Sequence, residues 1–574
     1  MRSSRSLRAL VLTALVTALA PAAAQAGDVP PGATWTQEFI TEPDGTTLHA
    51  DVLRPSNLPA DAKTPVIVSI GPYFNQSGQT GPAGPVEGTS YDPVGPSGGP
   101  SDRFTDFVTG AKLMEKGYTY IMVDLRGFGG SNGCLDWVGP GEQADVKAAV
   151  EWAASRPWST GKVGMYGKSY DGVTGLVGAV SKPKGLAAVV SQEPVYDLYR
   201  YLYSERVRYL NSVATPALYD LIAETPGPLL NDPNYNKNGL NDLARPGCPA
   251  LNWLDQQSDD HESDYWRARN LIPRAAATNV PVFLTQGFLE NNTKPDGAFD
   301  FYTKLAGPKR AWFGMWDHVR GNDTDSTGRL KMGRPGWFDE VMRWYDRYLK
   351  GVAPTVADPP VAVQTSDGTW RSERQWPPAD ATALTATLLP GTYTDDATNN
   401  GSMEGAFPPV TGHGSWTFSP PLTHDAHLAG IPKLNVDVAV TTPRTNLVAD
   451  VYDVAPDGTA ILISRNARLV DLSGNYPLAL YGQDWKFPAG HRVGVLISGA
   501  NAEWWQHVPN GSTVTVRSAS LASPWLRKQR RSDLTGGRAV RLDEYLAAAP
   551  FTVDPATIAA RTAPGFALPP AQTP

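Results

Sequence analysis

Three side chains of this sequence have the types that covalent hydrolysis needs, and they come in the order Ser169, Glu290, His318. Ser169 lies in Val163-Gly164-Met165-Tyr166-Gly167-Lys168-Ser169-Tyr170-Asp171-Gly172. An apolar run leads into a glycine, the serine follows two places on, and small, helix-compatible residues fill Val173 to Val180. The pattern predicts strand, sharp turn and helix. On such a turn a serine hydroxyl is lifted above a sheet edge as a nucleophile. Small neighbours suit it because the helix passes close to the strand. The spacing departs from G-x-S-x-G, since Asp171 stands two after the serine and the glycine comes one later, at Gly172. On these residues alone the competing reading is a glycine-rich turn whose serine caps the helix.

A serine nucleophile needs a base, an orienting acid and donors for the oxyanion. His318, in Met315-Trp316-Asp317-His318, follows the predicted strand Arg310–Gly314 and is the candidate base. Of the eight histidines, His49 precedes the nucleophile and His261 falls in an insertion. A lone histidine also has the bland reading of a surface or structural group. Glu290 follows the preceding strand, Val282–Leu284, and is the candidate acid, with Asp296 and Asp300 as rivals. Such a carboxylate fixes the imidazole tautomer and stabilises the imidazolium. Asp232–Gly239 has a calcium-loop flavour, but its glycine is misplaced and no glutamate closes it, so a turn-rich loop is expected. Asp259-Asp260-His261-Glu262 reads as a solvated acidic face. No metal or cofactor is called for.

The elements that must hold these residues alternate. Strands are expected within Trp35–Leu53, at Pro65–Ile70, Tyr118–Asp124, Ala187–Ser191, Val280–Leu284 and Arg310–Gly314. Helices are expected near Phe104–Lys116, Glu142–Ala154 and Trp337–Leu349. Such alternation implies a parallel sheet covered by helices. A Gly/Pro/Ser-rich loop spans roughly Gln76–Pro100. Between the strands sits an insertion, read as helical and aromatic from Asp197 to about Glu224 and helical again at Asp264–Arg269. Beyond Gly351 the texture becomes short alternating runs with proline punctuation, beginning with Val361-Ala362-Val363, which predicts an antiparallel β domain, a sandwich or jelly roll.

Gly167–Gly172, Asp124-Leu125-Arg126-Gly127-Phe128-Gly129-Gly130-Ser131, Trp316-Asp317-His318 and, later, Trp370 with Gln375-Trp376-Pro377-Pro378 resemble the Xaa-Pro dipeptidyl-peptidase and cocaine-esterase-like family of serine hydrolases. The resemblance covers nearly all of the chain after residue 26. It implies an α/β-hydrolase domain over 27–352, an inserted helical cap over about 194–275 and a C-terminal jelly-roll β-sandwich over 353–574. It also implies that a tyrosine after the first long strand gives its hydroxyl to the oxyanion hole. Gly71-Pro72-Tyr73 makes Tyr73 that candidate, and the backbone N–H of Tyr170 is the second donor. The family acid is usually aspartate, so Glu290 in Gly287-Phe288-Leu289-Glu290 is a departure. The family spans peptidases that release dipeptides with proline second and hydrolases of acyl esters or amides. Asn291-Asn292-Thr293-Lys294-Pro295 leans to the peptidases by likeness.

The 574 residues exceed one hydrophobic core, and two or three domains are expected. A net charge of −7 with no basic run gives no field for nucleic acid. Met1–Arg5, the apolar Leu7–Leu19 and Ala24-Gln25-Ala26 read as a secretory signal peptide over 1–26, cleaved after about Ala26, against the alternative of a membrane anchor. The expected protein is then extracellular and off the membrane. In an oxidising compartment Cys134 and Cys248 form one disulfide or remain two buried thiols. The expected partner is a peptide or small acyl substrate. A different class, a secreted binding protein without catalysis, is the rival. Oligomeric state is not legible.

Overall fold

The computed structural model describes residues 28–74, 100–210, 212–224, 247–396, 398, 414–501, 504–548 and 551–573. The expected signal peptide, the Asp232–Gly239 loop and all but the end of the Gln76–Pro100 loop lie outside them. No helix among the described residues is long and apolar enough to cross a membrane. The chain divides into two compact units. One holds Met1–Asp136, Ala144–Val163 and Ala217–Asn252, and the other Trp137–Gln143, Gly164–Pro216 and Trp253–Pro574.

In the first unit β1 (Ala33–Thr41), β2 (Thr47–Pro55), β3 (Thr64–Gly71) and β4 (Thr119–Asp124) lie in the order β1-β2-β4-β3. The first two form a hairpin, β4 is antiparallel to β2, and β3 runs parallel to β4. Every residue of β3 is buried, as a parallel strand covered on both faces requires. The helix Thr105–Gly110 is shorter than the Phe104–Lys116 expectation, and Lys112 at φ 57° marks its early end.

β5 (Ser159–Lys168) starts in the first unit and ends in the second. There the order is β5, β6 (Leu186–Gln192), β9 (Val282–Gly287), β10 (Lys309–Gly314), β11 (Val361–Gln364) and β12 (Trp370–Glu373). β6, β9, β10 and β11 are mutually parallel. The helices Tyr170–Ser181 and Trp337–Tyr345 belong to this unit. Val361–Val363, read as the first run of the β domain, extends this sheet instead. It is a short, fully buried apolar run without alternation, which suits a parallel strand better than a half-exposed one.

The insertion is less helical than its pattern implies. Asp197 caps a helix of five residues, Leu198–Leu202, by accepting from Tyr199 N–H. Glu205 and Arg206, both at positive φ, then turn a hairpin of β7 (Tyr203–Ser204) on β8 (Val207–Arg208). The aromatic and β-branched residues there favour extended backbone. Helices return at Thr215–Glu224, Gly247–Gln256 and Asp264–Ala268.

The C-terminal part is a β-sandwich of two antiparallel sheets. One is centred on the strand Thr513–Leu526, which pairs with Ala381–Leu388, Gly391–Thr394, Lys433–Val440 and Ala426–Gly430. The other is built on Thr445–Val454 between Thr459–Val470 and Arg492–Ser498. Two helices near the end, Val540–Ala547 and Pro555–Arg561, interrupt the β texture. Asp484 is its buried charged centre. It accepts two bonds from Arg371 (2.8 and 2.6 Å), one from His427 Nε2 (2.7 Å) and one from Trp376 Nε1 (3.0 Å).

Candidate active site

Ser169 stands between β5 and the helix Tyr170–Ser181 with φ 65° and ψ −124°. A non-glycine residue there stores strain of about 1–3 kcal/mol, which the surrounding packing must hold. The packing leaves no alternative. A Cβ on Gly167 would come 2.1 Å from the Asp171 carbonyl oxygen, and one on Gly172 would come 2.8 Å from that of Gln192. The close approach to β6 thus falls at Gly172, one residue later than in G-x-S-x-G, and Asp171 is buried beside it. Ser169 N–H donates to Gln192 O at 2.9 Å, which ties the turn to the end of β6. Ser169 makes no side-chain cap to its helix.

Tyr170 opens the helix, where N–H groups point out of the helix end. Its phenol donates to Glu142 Oε2 (2.8 Å), which also accepts from Val138 N–H (2.8 Å). The residue after the serine is therefore fixed at its side chain as well as by the helix.

Glu290 and His318 sit on the loops after β9 and β10. His318 Nδ1–H donates to Glu290 Oε2 at 2.8 Å, with the carboxylate fully buried and the ring 15% exposed. Glu290 Oε1 accepts from the backbone N–H of Asn292 (2.6 Å) and Thr293 (3.2 Å). Both oxygens of the carboxylate thus accept, and because an ionised carboxylate cannot donate, Nδ1 carries the ring proton, leaving Nε2 as the basic nitrogen. Burial pushes the Glu290 carboxyl up, but His318, the Asn292 N–H and the Lys168 ammonium outweigh it and hold it below the usual range. Burial and Lys168 push His318 down, against the pull of Glu290 and Asp317. A neutral imidazole beside an ionised carboxylate is the form a general base needs. Lys168 immediately precedes Ser169, so its action on both groups brings the end of β5 to the same place.

The rival carboxylates are engaged elsewhere. Asp296 and Asp300 both accept from Arg200, at 3.2 and 3.3 Å. Tyr73 lies in the first unit just beyond β3, 4% exposed, with the Arg103 guanidinium 4.1 Å above its ring and its hydroxyl bonded to that of Tyr219. Cys134 is disulfide-bonded. The side chain of Cys248, the only other cysteine, lies outside the described residues. Among the described residues, no group of three or more His, Cys, Asp or Glu could hold a metal ion.

Sequence reasoning passed over Lys168, Glu142 and Gln192. The one available signal was position: Gln192 closes β6, and residues just beyond the carboxyl ends of parallel strands are where sites form.

A strained serine at a strand–helix turn and a carboxylate–histidine pair on later strand loops define an α/β-hydrolase-type serine hydrolase site. Residues 44–320 match the model of the X-Pro dipeptidyl-peptidase (S15 family), and residues 355–474 match that of the X-Pro dipeptidyl-peptidase C-terminal non-catalytic domain. The chain is 26% identical over 506 residues to an Xaa-Pro dipeptidyl-peptidase of Lacticaseibacillus rhamnosus, covering 74% of this chain and 61% of that one. It is 23% identical to the cocaine esterase of a Rhodococcus species, covering 83% of this chain and 92% of that one. In fold it is similar to an aminopeptidase from a marine sediment Thaumarchaeota archaeon, at 17% identity and a TM-score of 0.66, over 87% of this chain and 99% of that one. The chain belongs to the Xaa-Pro dipeptidyl-peptidase and cocaine-esterase-like family of serine hydrolases. It spans about three fifths of the length of its dipeptidyl-peptidase relative.

Proposed function

We propose that the protein is a secreted serine hydrolase that cleaves a peptide, amide or ester bond through an acyl-enzyme, with Xaa-Pro dipeptidyl-peptidase activity as the leading reading. The observation that carries it is the His318–Glu290 hydrogen bond, set on the loops after β9 and β10, together with the strained Ser169 elbow. Ser169 Oγ attacks the substrate carbonyl while His318 Nε2 takes its proton. Tyr170 N–H donates to the oxyanion, and the family resemblance assigns the second donation to the Tyr73 hydroxyl. His318 returns the proton to the leaving amine or alcohol, the C–N or C–O bond breaks, and the acyl group stays on Ser169. Water, deprotonated by the same nitrogen, then releases the acid. Glu290 stays ionised throughout and stabilises the imidazolium. The signal-peptide pattern of residues 1–26 supports export.

The S15 family match favours the peptidase. The cocaine esterase, 92% of whose length is covered, favours an acyl esterase as the second reading. A panel of Xaa-Pro-p-nitroanilides and short-chain aryl esters, run on wild type and Ser169→Ala, decides between them. Turnover of the anilides that vanishes in Ser169→Ala supports the first reading, and turnover of esters alone supports the second. Hydrolysis of neither by the wild type contradicts both.

A further inference from the structure

Glu193 follows the last residue of β6 and is fully buried, at φ 45°. Oε1 accepts from Thr285 Oγ1 (3.0 Å) and Trp316 Nε1 (2.8 Å). Oε2 accepts from Gly287 N–H (2.9 Å) and Gln286 Nε2 (3.2 Å). In the main chain, Glu193 N–H donates to Thr285 O (3.1 Å), and Glu193 O accepts from Thr293 Oγ1 (3.1 Å). Two donors meet each carboxyl oxygen. No lysine, arginine or histidine pairs with Glu193 among the described residues. Burial, first, and the nearby Glu290 hold this carboxyl well above the usual carboxylate range, against the smaller pull of the Gly287, Trp316 and Thr285 donors.

The partners are not scattered. Gly287 precedes Glu290 by three residues, and Thr293 follows it by three. Trp316 precedes His318 by two. The neighbouring Gln192 completes the set. Its carbonyl accepts from Ser169 N–H (2.9 Å), and its Oε1 accepts from Gly321 N–H (3.0 Å), three residues after His318. Two adjacent residues therefore hold the turn of the serine and both flanks of the loops carrying the acid and the base. A core residue kept only for packing would not need a buried carboxyl group, whose desolvation is costly unless its oxygens are hydrogen-bonded.

We propose that Glu193 is a positioning residue for hydrolysis, setting the placement of His318 and Glu290 through the loops it grips. The proposal rests on the Ser169–His318–Glu290 reading. Misplacing a reacting group by about 1 Å can cost on the order of a hundredfold in rate. Glu193→Gln keeps the volume but turns an NH₂ toward two donors on one side. Trp316→Phe removes a single donor and keeps a ring stacked on Trp370, which lies 5.7 Å away at 15°.

The experiment counts active sites by fluorophosphonate labelling, maps the labelled residue and measures kcat per labelled site, KM and Tm. Expected is a fall of roughly 10- to 100-fold in kcat per site for Glu193→Gln with KM within twofold. Trp316→Phe shows a smaller fall in the same direction. A merely structural role lowers Tm or yield and leaves kcat per site within twofold, which overturns the proposal. Should Glu193→Gln not fold, Trp316→Phe decides alone, since unchanged kcat per site there is also fatal. Absence of label on wild-type Ser169 removes the triad reading itself, an outcome separate from the variant results.

Discussion

Replacing Glu290 with glutamine should cost far more than the loss of one hydrogen bond. In the wild type, Oε1 is held by the N–H groups of Asn292 and Thr293, and Oε2 takes the His318 Nδ1 proton. The variant's single carbonyl oxygen must face the two backbone donors, because an NH₂ cannot accept from them. Its NH₂ then faces Nδ1, which can accept only if the ring proton moves to Nε2. That tautomer has no lone pair for the serine proton. Loss of the triad acid in this manner typically lowers kcat by about 10⁴-fold, or about 5.4 kcal/mol at 1.36 kcal/mol per decade. Glu290→Asp withdraws the carboxylate by one carbon–carbon bond, about 1.5 Å, and should fall between wild type and Glu290→Gln. Asp296→Asn and Asp300→Asn should stay within about threefold, since both carboxylates serve Arg200. The assay is kcat per fluorophosphonate-labelled site on the best substrate of the panel. A Glu290→Gln enzyme within tenfold of wild type, or an Asp296→Asn enzyme as impaired as it, would show that Glu290 does not orient His318.

Three other outcomes follow from the same geometry. Because burial and Lys168 depress His318, the base stays neutral to lower pH, so the acid limb of kcat/KM should lie below about 6.5 and move upward in Lys168→Met; a limb at or above pH 7 in the wild type contradicts this. Tyr73→Phe should lose roughly 100- to 1000-fold in kcat with little change in KM, as for one oxyanion donor, and a variant with wild-type kcat removes Tyr73 from the site. Asp484→Asn takes from the buried Arg371 one of its two charge partners, leaving Glu373 at 2.9 Å, and should cost up to about 3–5 kcal/mol, read as denaturant midpoints. Although burial pushes the Asp484 carboxyl up, Arg371 and His427 hold it well below 3.8, so its stabilisation is complete above that pH and is lost as the pH falls further. The variant should accordingly show a flatter stability profile below pH 4.

The serine turn was legible because glycines and small residues mark the close helix–strand approach, and the structure explains the offset at Asp171 by moving that approach to Gly172. The loops of His318 and Glu290 were legible from strand order, since each follows a short apolar run. Among the three acids the sequence left a choice, and only the third dimension shows Asp296 and Asp300 drawn to Arg200. The hairpin at Tyr203–Arg208 was misread as helix because its aromatic spacing carries no period long enough to separate the two. Val361–Val363 was assigned to the wrong sheet because a short buried run states its burial but not its neighbour. Gln192 and Glu193 were passed over altogether. Apart from Ser169, their partners lie about 90 to 130 residues away, and nothing local marks a glutamate as the grip on two distant loops.

Hydrolysis through an acyl-enzyme requires that Ser169 become covalently acylated. The most direct measurement of this is peptide mapping by mass spectrometry after reaction of the wild-type protein with a fluorophosphonate. Expected is a single phosphonyl adduct on Ser169, formed in step with loss of hydrolysis and absent from Ser169→Ala. An adduct on another residue, labelling that survives in Ser169→Ala, or full hydrolytic activity in that variant would contradict acylation at Ser169.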